Sequence, residues 1–348
     1  MTSTSATAAS WMSEAFRPGI VSVIIPTYNR AHLVVRAVES VFAQTYRPVE
    51  LIVVDGSSAD DTQNVLESWA ALHRSKVFEV RLIRQPNQGA QVARNCGLIE
   101  STGEYIQFLD SDDRILEQKL SVQVECMRTT GADYCYSLTE GIDKNGTHQG
   151  LEGRPQCPGR PWILERSWHP DAALHTRRVC SRIGPWNETL RVWQDYEYSA
   201  RIKAAGFRGV FLETTLCQSF EHDGPSITRQ RAEAYVPAVF RAVELMLPLA
   251  PVAGRQARLE RNRIAQHLVM VAMKYAKQPE ADFPRLCISK ASSISRGPVK
   301  LPITLVAWVC KVLPPRSVLE VGWSIARMLN SARRTLSHRS SQASSASS

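Results

Sequence analysis

The sequence predicts an α/β fold: a mainly parallel sheet flanked by helices, followed by a helical C-terminal extension. Short β-branched runs alternate with segments of helical periodicity from residue 20 to about residue 153. Strands joined in this way pair in parallel, because each crossover helix returns the chain to the same end of the sheet. A length of 348 residues with 44% hydrophobic residues supports a large core and excludes a disordered, collagen-like or coiled-coil chain.

Four strands and three helices are predicted in the first part of this pattern. The strands are 20–26, 49–55, 78–85 and 103–110, and the intervening segments at 33–42, 62–73 and 87–102 are predicted as helices, the last one opening as a loop. The polar sequences PTYNR, DGSSADD and DSDD follow the first, second and fourth strands. Since the carboxyl ends of parallel strands meet at one edge, these loops are expected to form one ligand-binding crevice.

Each polar loop has side chains suited to a nucleoside diphosphate. Asp55 ends a fully apolar strand, where a base N–H or a ribose hydroxyl would satisfy its carboxylate; capping of the next helix is the alternative. Tyr28 is suited to stacking on a base, or is simply an exposed turn residue. Asp110, Asp112 and Asp113 lie within four residues, a density that favours Mg²⁺ or Mn²⁺, with a solvated helix-capping turn as the alternative.

Four motifs carry a family resemblance: VSVIIPTYNR, LIVVDGSS, NQGAQVARNCGL and GEYIQFLDSDD. In this order they resemble the nucleotide-binding half of family 2 glycosyltransferases, which are inverting enzymes with the GT-A fold. The similarity is dense over residues 20–115 and resumes at 131–137 and 183–207, where the acceptor half is expected. The resemblance implies a GT-A domain at 20–228, divided near residue 115.

The resemblance also implies roles for individual residues. Asp195 is the expected catalytic base, and Asp112 with His222 is expected to hold Mg²⁺ or Mn²⁺. The residues expected to bind the nucleotide are Pro26, Thr27, Tyr28, Arg30, Asp55, Arg94, Asp110 and Ser111. Three simpler roles remain open: a surface salt bridge for Arg94, a helix cap for Asp195 and a loop position for His222.

Three positions depart from the family pattern. Asp55-Gly56-Ser57-Ser58 replaces Asp-Asp-Gly-Ser, Trp186-Asn187-Glu188 replaces aromatic-Asp-Glu, and Gln194 replaces the glutamate before the base. These changes leave the donor preference open, whereas the base itself is present. An ionised carboxylate near a helix start is a favourable acceptor for a hydroxyl proton.

The predicted function is therefore an inverting sugar transfer from a nucleotide donor, with UDP favoured, to a hydroxyl of a glycan, polysaccharide or lipid-linked acceptor. A nucleotidyltransferase is less favoured, because the Gly-rich G-x-G-x-R loop of that class is missing after the first strand. A silent nucleotide-sugar-binding protein or membrane scaffold is the second alternative, and the retained Asp112 and Asp195 argue against it.

The last quarter of the chain is strongly basic. Residues 255–348 hold 16 Lys+Arg against 4 Asp+Glu, whereas the whole chain has a net charge of +9. An apolar run at 301–313, bordered by arginines and containing Trp308, favours an anionic membrane surface over nucleic acid; helices of a small subdomain within 229–335 are the alternative. Residues 1–19 and 336–348 are predicted to be disordered tails.

The eight cysteines are scattered, which predicts reduced thiols. The sequence shows no signal-like or membrane-spanning segment, which predicts a cytoplasmic location. Within the cytoplasm, the protein is expected to be peripheral on the inner face of the membrane.

Overall fold

A computed structural model describes residues 11–156, 169–223, 232–275 and 283–296. The chain divides into two compact units, Met1–Thr228 and Arg229–Ser348. The predicted tails at 1–10 and 336–348, and the apolar run at 301–313, lie outside the described residues.

The first unit is built on one sheet. Its described strands are β1 (Arg17–Thr27), β2 (Val49–Asp55), β3 (Phe78–Arg84), β4 (Gly103–Phe108), β5 (Arg114–Ile115), β6 (Tyr134–Ile142), β7 (His148–Glu152), β8 (Ala173–Thr176) and β9 (Gly209–Phe220). Its described helices are α1 (Val34–Phe42), α2 (Thr62–His73), α3 (Ala90–Glu100), α4 (Lys119–Thr130), α5 (Arg177–Ile183) and α6 (Gln194–Ala204). A 3-10 turn, Pro170–Ala172, precedes β8.

The strand order is β3-β2-β1-β4-β8-β6-β9-β5, and β7 pairs with β6. Strands β3, β2, β1 and β4 are parallel neighbours, whereas β8 joins β4 and β6 in antiparallel pairing. The predicted α/β fold, with a parallel first half and flanking helices, is confirmed. The fourth strand ends at Phe108, two residues earlier than predicted, and so the DSDD sequence lies wholly in a loop.

Helix α3 packs closely on β1. A Cβ atom at Gly97 would lie 2.4 Å from Cγ2 of Ile24, a distance that no side chain could occupy without displacing its neighbour. Leu98 on the same helix is fully buried. Glycine at this position therefore lets α3 approach the sheet closely.

Residues 11–19 are ordered, and the predicted disorder is wrong for this segment. The Trp11 Nε1–H donates to the carbonyl of Ser181 at 3.0 Å, and Met12 is buried in the core. Arg17 then begins β1 and forms salt bridges with Glu50 and Glu79. The segment therefore looks like a tail by its polar composition, but the apolar residues Trp11 and Met12 and the charged residue Arg17 fix it to the domain.

Glu50 is a buried carboxylate near the start of β2. Ser22 Oγ donates to it at 2.6 Å, the Thr102 N–H donates at 2.9 Å, and Arg81 and Arg17 form salt bridges with it. Burial acts to raise the pKa of Glu50, but these hydrogen bonds and charges outweigh burial and lower it. The network joins β1, β2, β3 and the start of β4 on the side of the sheet away from the strands' carboxyl ends.

The second unit is helical, as predicted for the extension. Its described helices are α7 (Ala232–Met246), α8 (Gly254–Tyr275) and α9 (Phe283–Ile294). Apolar side chains such as Val239, Leu268 and Ile288 are buried within it, whereas Arg255 and Arg258 on α8 are exposed. In the described ranges no helix combines the length and apolar character needed to cross a bilayer.

Candidate active site

The ends of β1 and β2 form one side of the crevice. Thr27 and Asp55 are register partners, and the Gly56 N–H donates to the Thr27 carbonyl at 2.9 Å. Asp55 is 5% exposed, and its carboxylate accepts hydrogen bonds from the N–H and the hydroxyl of Ser58. It closes a turn ahead of α2, which begins only at Thr62, and so it does not cap that helix.

The loop after β1 presents Tyr28 to solvent. Pro26 and Thr27 are buried at the strand end, whereas Tyr28 is 45% exposed. The Arg30 N–H is held by Thr62 Oγ1 at 2.9 Å. The exposed ring at the mouth of a polar crevice has the surroundings expected for base stacking.

Asp110 is held through both its side chain and its backbone. Arg94 Nη2 donates to Oδ1 of Asp110 at 2.6 Å, and the Asp110 N–H donates to Oδ1 of Asp171 at 2.9 Å. Burial raises the pKa of Asp110, and the neighbouring Arg94 opposes that rise. The open alternative of a surface salt bridge does not describe Arg94, which is 4% exposed.

Arg94 also has donor groups that no described residue satisfies. Its Nε and Nη1 are buried without a hydrogen-bond partner, and its guanidinium lies 4.7 Å from the centre of the Trp186 ring. A buried guanidinium with unsatisfied N–H groups is costly, and an oxyanion is a favourable partner for such groups.

Asp112 and His222 are brought together although they are 110 positions apart. Nε2 of His222 lies 2.8 Å from Oδ2 of Asp112, and Arg30 Nη2 lies 3.9 Å from the same oxygen. Arg36 on α1 donates to the Asp112 carbonyl and lies 3.8 Å from the centre of the Phe220 ring. Arg36 thereby contacts both segments that carry the pair.

The Asp112–His222 pair fits a hard divalent cation. Two adjacent ligands of an octahedral ion at ~2.1 Å lie ~3 Å from each other, close to the observed 2.8 Å. Both side chains are partly exposed, Asp112 at 23% and His222 at 15%. Ser111, between the two loop aspartates, is 7% exposed.

Two of the loop aspartates, Asp110 and Asp113, also belong to a cluster with His169 and Asp171, two residues that the sequence did not indicate. Single oxygens or nitrogens of Asp110, Asp113, His169 and Asp171 all lie within 4.8 Å of one another. Burial and the neighbouring Asp171 raise the pKa of Asp113 well above its usual range, whereas the adjacent His169 overcomes the effect of burial and lowers the pKa of Asp171 to about 2. The two pKa shifts have opposite directions, as expected for neighbouring carboxylates that repel each other when both are ionised.

Asp195 lies in the first turn of α6. The preceding Trp193 has a left-handed backbone (φ 59°) and forms the helix boundary, so Asp195 is not the cap. Asp195 borders a small cavity that Phe108 and Pro170 also line. Phe108 ends β4 and Pro170 precedes Asp171, so this cavity places the predicted base beside the segment that supports Asp110.

Asn95 joins the two halves of the site. Its Nδ2 donates to the Trp186 carbonyl at 2.9 Å, and the Trp186 N–H donates to its Oδ1 at 2.7 Å. Nδ2 also donates to Glu188 at 2.8 Å. The Trp186-Asn187-Glu188 segment is thus fastened to α3, next to Arg94.

Sequence reasoning missed Arg36, Asn95, His169 and Asp171. Arg36 and Asn95 lie on helices, and a polar residue on a predicted helix is ordinarily assigned to its exposed face. His169 and Asp171 are far along the chain from the DSDD loop and belong to no motif. The ARN sequence did contain one signal, because Asn95 directly follows a residue already predicted to bind the nucleotide.

Comparison with known proteins gives matches to a single family of enzymes. The family model described as Glycosyl transferase family 2 matches residues 22–181. A UDP-Glc:alpha-D-GlcNAc-diphosphoundecaprenol beta-1,3-glucosyltransferase, WfaP of Escherichia coli, is 39% identical over 121 residues, covering 34% of this chain and 45% of the relative. An uncharacterized glycosyltransferase of Rickettsia felis is 34% identical over 128 residues, 37% of this chain and only 20% of the relative.

Among solved structures, S. aureus TarS 1-349 in complex with UDP-GlcNAc has a TM-score of 0.65 at 17% identity, covering 88% of this chain and 91% of that one. The fold is therefore of the GT-A type found in nucleotide-sugar transferases. The chain carries a glycosyltransferase family 2 domain, and the predicted family is confirmed.

Proposed function

We propose that this protein is an inverting glycosyltransferase that moves a sugar from a nucleoside diphosphate, UDP being favoured, to a hydroxyl acceptor. The observation that carries the proposal is the position of Asp195 beside the end of β4, the strand whose following loop holds Asp110 and Asp112. A base next to a donor-diphosphate loop is the arrangement that such a transfer requires.

The nucleotide-binding half would supply the side chains that contact the nucleoside and the phosphates of the donor. Asp55 lies at the end of β2 and the Tyr28 ring is exposed at the end of β1, where they would contact the nucleoside. Arg94 has two buried N–H groups without a described partner, and a phosphate or ribose oxygen would satisfy them. Asp110 and Ser111 would contact the ribose or phosphates beside it.

Asp195 would take the proton of the acceptor hydroxyl. As that oxygen bonds to the anomeric carbon, the bond from this carbon to the diphosphate oxygen breaks, and the nucleoside diphosphate leaves with the electron pair. The anomeric centre passes through an oxocarbenium-like state and inverts, because the base and the leaving group lie on opposite faces of the sugar. A divalent cation held by Asp112 and His222 would neutralise charge on the leaving diphosphate.

A lipid-linked acceptor at the cytoplasmic membrane face is the acceptor we favour, for synthesis of a cell-envelope polysaccharide. The name of WfaP specifies an acceptor linked to diphosphoundecaprenol, although this chain covers less than half of that relative. The +12 charge of residues 255–348 would also favour an anionic membrane surface.

The test compares wild type with Asp195→Asn and Glu125→Gln, the latter removing an exposed carboxylate on α4. Purified protein with Mn²⁺ is screened for stabilisation by UDP, GDP and dTDP, and then for transfer from the corresponding sugar donors to an undecaprenyl-diphosphate-linked sugar. We expect Asp195→Asn to lower turnover by about 10³-fold or more while binding the same nucleotide, because the carboxylate acts on the acceptor.

Unchanged turnover of Asp195→Asn would refute the assigned base. Nucleotide binding without transfer by wild type would favour the silent nucleotide-sugar-binding protein instead. Binding of no nucleotide by wild type would contradict the donor site itself. Glu125→Gln should match wild type throughout.

A further inference from the structure

Two arginines and two aromatic rings form a continuous stack between the donor half and the base helix. The Arg94 guanidinium lies 4.7 Å from the centre of the Trp186 ring, and the rings of Trp186 and Tyr198 are stacked at 4.1 Å with an angle of 6° between them. The Arg201 guanidinium lies 5.1 Å from the centre of the Tyr198 ring. We call these four residues the cation–aromatic stack.

The stack is buried and its members are held in place. Trp186 and Tyr198 are each 3% exposed. Arg201 pairs with Glu197 on α6 and donates to the carbonyls of Ile183 at 2.6 Å and Pro185 at 2.8 Å. These bonds connect α6, which carries Tyr198, to the segment that leads into Trp186.

The orientation of Arg94 depends on few groups. Asp110 holds one of its nitrogens, while Nε and Nη1 lack a described partner. The face of the Trp186 ring is the remaining support given by the described contacts. Because Tyr198 stacks on the same ring at 4.1 Å, a change at Tyr198 would be transmitted to Arg94 through Trp186.

We infer that Trp186 and Tyr198 are positioning residues that couple donor-diphosphate binding at Arg94 to the orientation of α6, the helix that carries Asp195. The inference rests on the proposed function, because it takes Arg94 as a donor contact and Asp195 as the base. Coupling is reciprocal: if α6 orients Arg94, then a bound diphosphate must stabilise α6.

The first experiment measures UDP binding by calorimetry in the presence of Mn²⁺. We expect Tyr198→Leu to weaken UDP binding at least fivefold although Tyr198 lies on the base side, and Trp186→Leu to weaken it about tenfold. Tyr198→Phe keeps the ring and should recover most of the affinity lost in Tyr198→Leu. Trp69→Leu is the matched control, because it removes a buried aromatic ring on α2 that packs against Phe78.

A double-mutant comparison separates coupling from general loss of stability. In an Arg94→Lys background, Tyr198→Leu should change UDP affinity less than twofold, because the planar cation that it orients is gone. Thermal unfolding and circular dichroism verify that each variant is folded. A folded Tyr198→Leu with wild-type UDP affinity, or the same loss in both backgrounds, would overturn the inference.

Hydrogen exchange gives the reciprocal measurement. UDP should slow exchange of the α6 amides, 194–204, in wild type and in Trp69→Leu but not in Trp186→Leu. Slowing that persists in Trp186→Leu would also overturn the inference. If wild type binds neither UDP, GDP nor dTDP, the proposed function fails in the wild-type measurement alone, and the inference fails with it.

Discussion

Three described residues other than glycine have left-handed backbones, and all three lie next to predicted site residues. Asn29 (φ 52°) precedes Arg30, Ser57 (φ 57°) follows Asp55 by two positions, and Trp193 (φ 59°) precedes Asp195 by two. Such conformations cost free energy and persist where surrounding contacts enforce them. The strain is therefore concentrated in the loops that would meet the donor and the acceptor.

The Asp112–His222 pair predicts a measurable affinity for a divalent metal ion. Asp112→Asn should weaken Mn²⁺ binding at least tenfold, because the amide loses the charge that a hard cation prefers. Titration of Mn²⁺ followed by electron paramagnetic resonance measures this without substrate. Asp223→Asn, which removes an 80% exposed carboxylate next to His222, is the control. Equal affinity of Asp112→Asn and wild type would exclude the assigned ligand.

Helix α3 is the element on which the site depends most. It packs on β1 through Gly97, carries Arg94 toward the DSDD loop and holds the Trp186 segment through Asn95. A displacement of this helix would therefore change both halves of the crevice together.

The close approach at Gly97 makes that dependence testable. Gly97→Ala should destabilise the first unit by about 1–3 kcal/mol, because the new methyl group would overlap Ile24. It should also weaken UDP binding by displacing Arg94. Gly141→Ala is the control, since its Cβ would make only a 3.5 Å contact with Gln149. Thermal unfolding with and without UDP measures both effects, and a wild-type melting temperature for Gly97→Ala would contradict the packing argument.

A second prediction at the level of the elements concerns Glu50 on β2. Glu50→Gln should lower the free energy of unfolding by about 2–3 kcal/mol at pH 7, because the buried network loses its carboxylate. The folded pKa is lowered, so this contribution is fully present above the unfolded value of ~4.3 and is lost as pH falls toward the folded pKa. Urea unfolding from pH 7 to pH 3 should show the variant and wild type converging; a constant difference would exclude the charge as its cause.

The parallel half of the fold and its polar loops could be predicted from sequence because they depend on local patterns. Strand runs, helical spacing and the DSDD motif each occupy a few consecutive residues. The partners of those motifs could not be found in this way: Asp171 reaches Asp110, and Trp186 reaches Asn95, only through pairing of distant strands and loops. The order of residues 11–19 was missed for the same reason, since Trp11 is anchored on Ser181.

The two units of the whole molecule differ in charge. The second unit, residues 229–348, holds 19 Lys+Arg against 6 Asp+Glu, a net charge of +13, whereas residues 1–228 have a net charge of −4. Arg255 and Arg258 on α8 are exposed. This distribution agrees with the proposal that the second unit meets an anionic membrane surface and the first binds the nucleotide donor.

Charge reversal tests this division. Arg255→Glu combined with Arg258→Glu should weaken binding to vesicles containing 30% phosphatidylglycerol at least fivefold, in a salt-dependent way. Arg74→Glu combined with Lys76→Glu makes the same change in net charge on exposed positions of the first unit and serves as the control. Equal losses for the two pairs in a sedimentation assay would mean that net charge, rather than the second unit, governs binding.

The tether from Asn95 to the Trp186 backbone has a consequence for recombination between family members. Two of its hydrogen bonds join the Asn95 amide to main-chain atoms, so they do not depend on which side chain follows Pro185. A chimera that crosses over near residue 115 would keep this joint whenever the donor parent supplies the asparagine and the other parent supplies a loop of the same path. In such a chimera this joint would depend on the asparagine side chain of one parent and on the backbone path of the loop from the other.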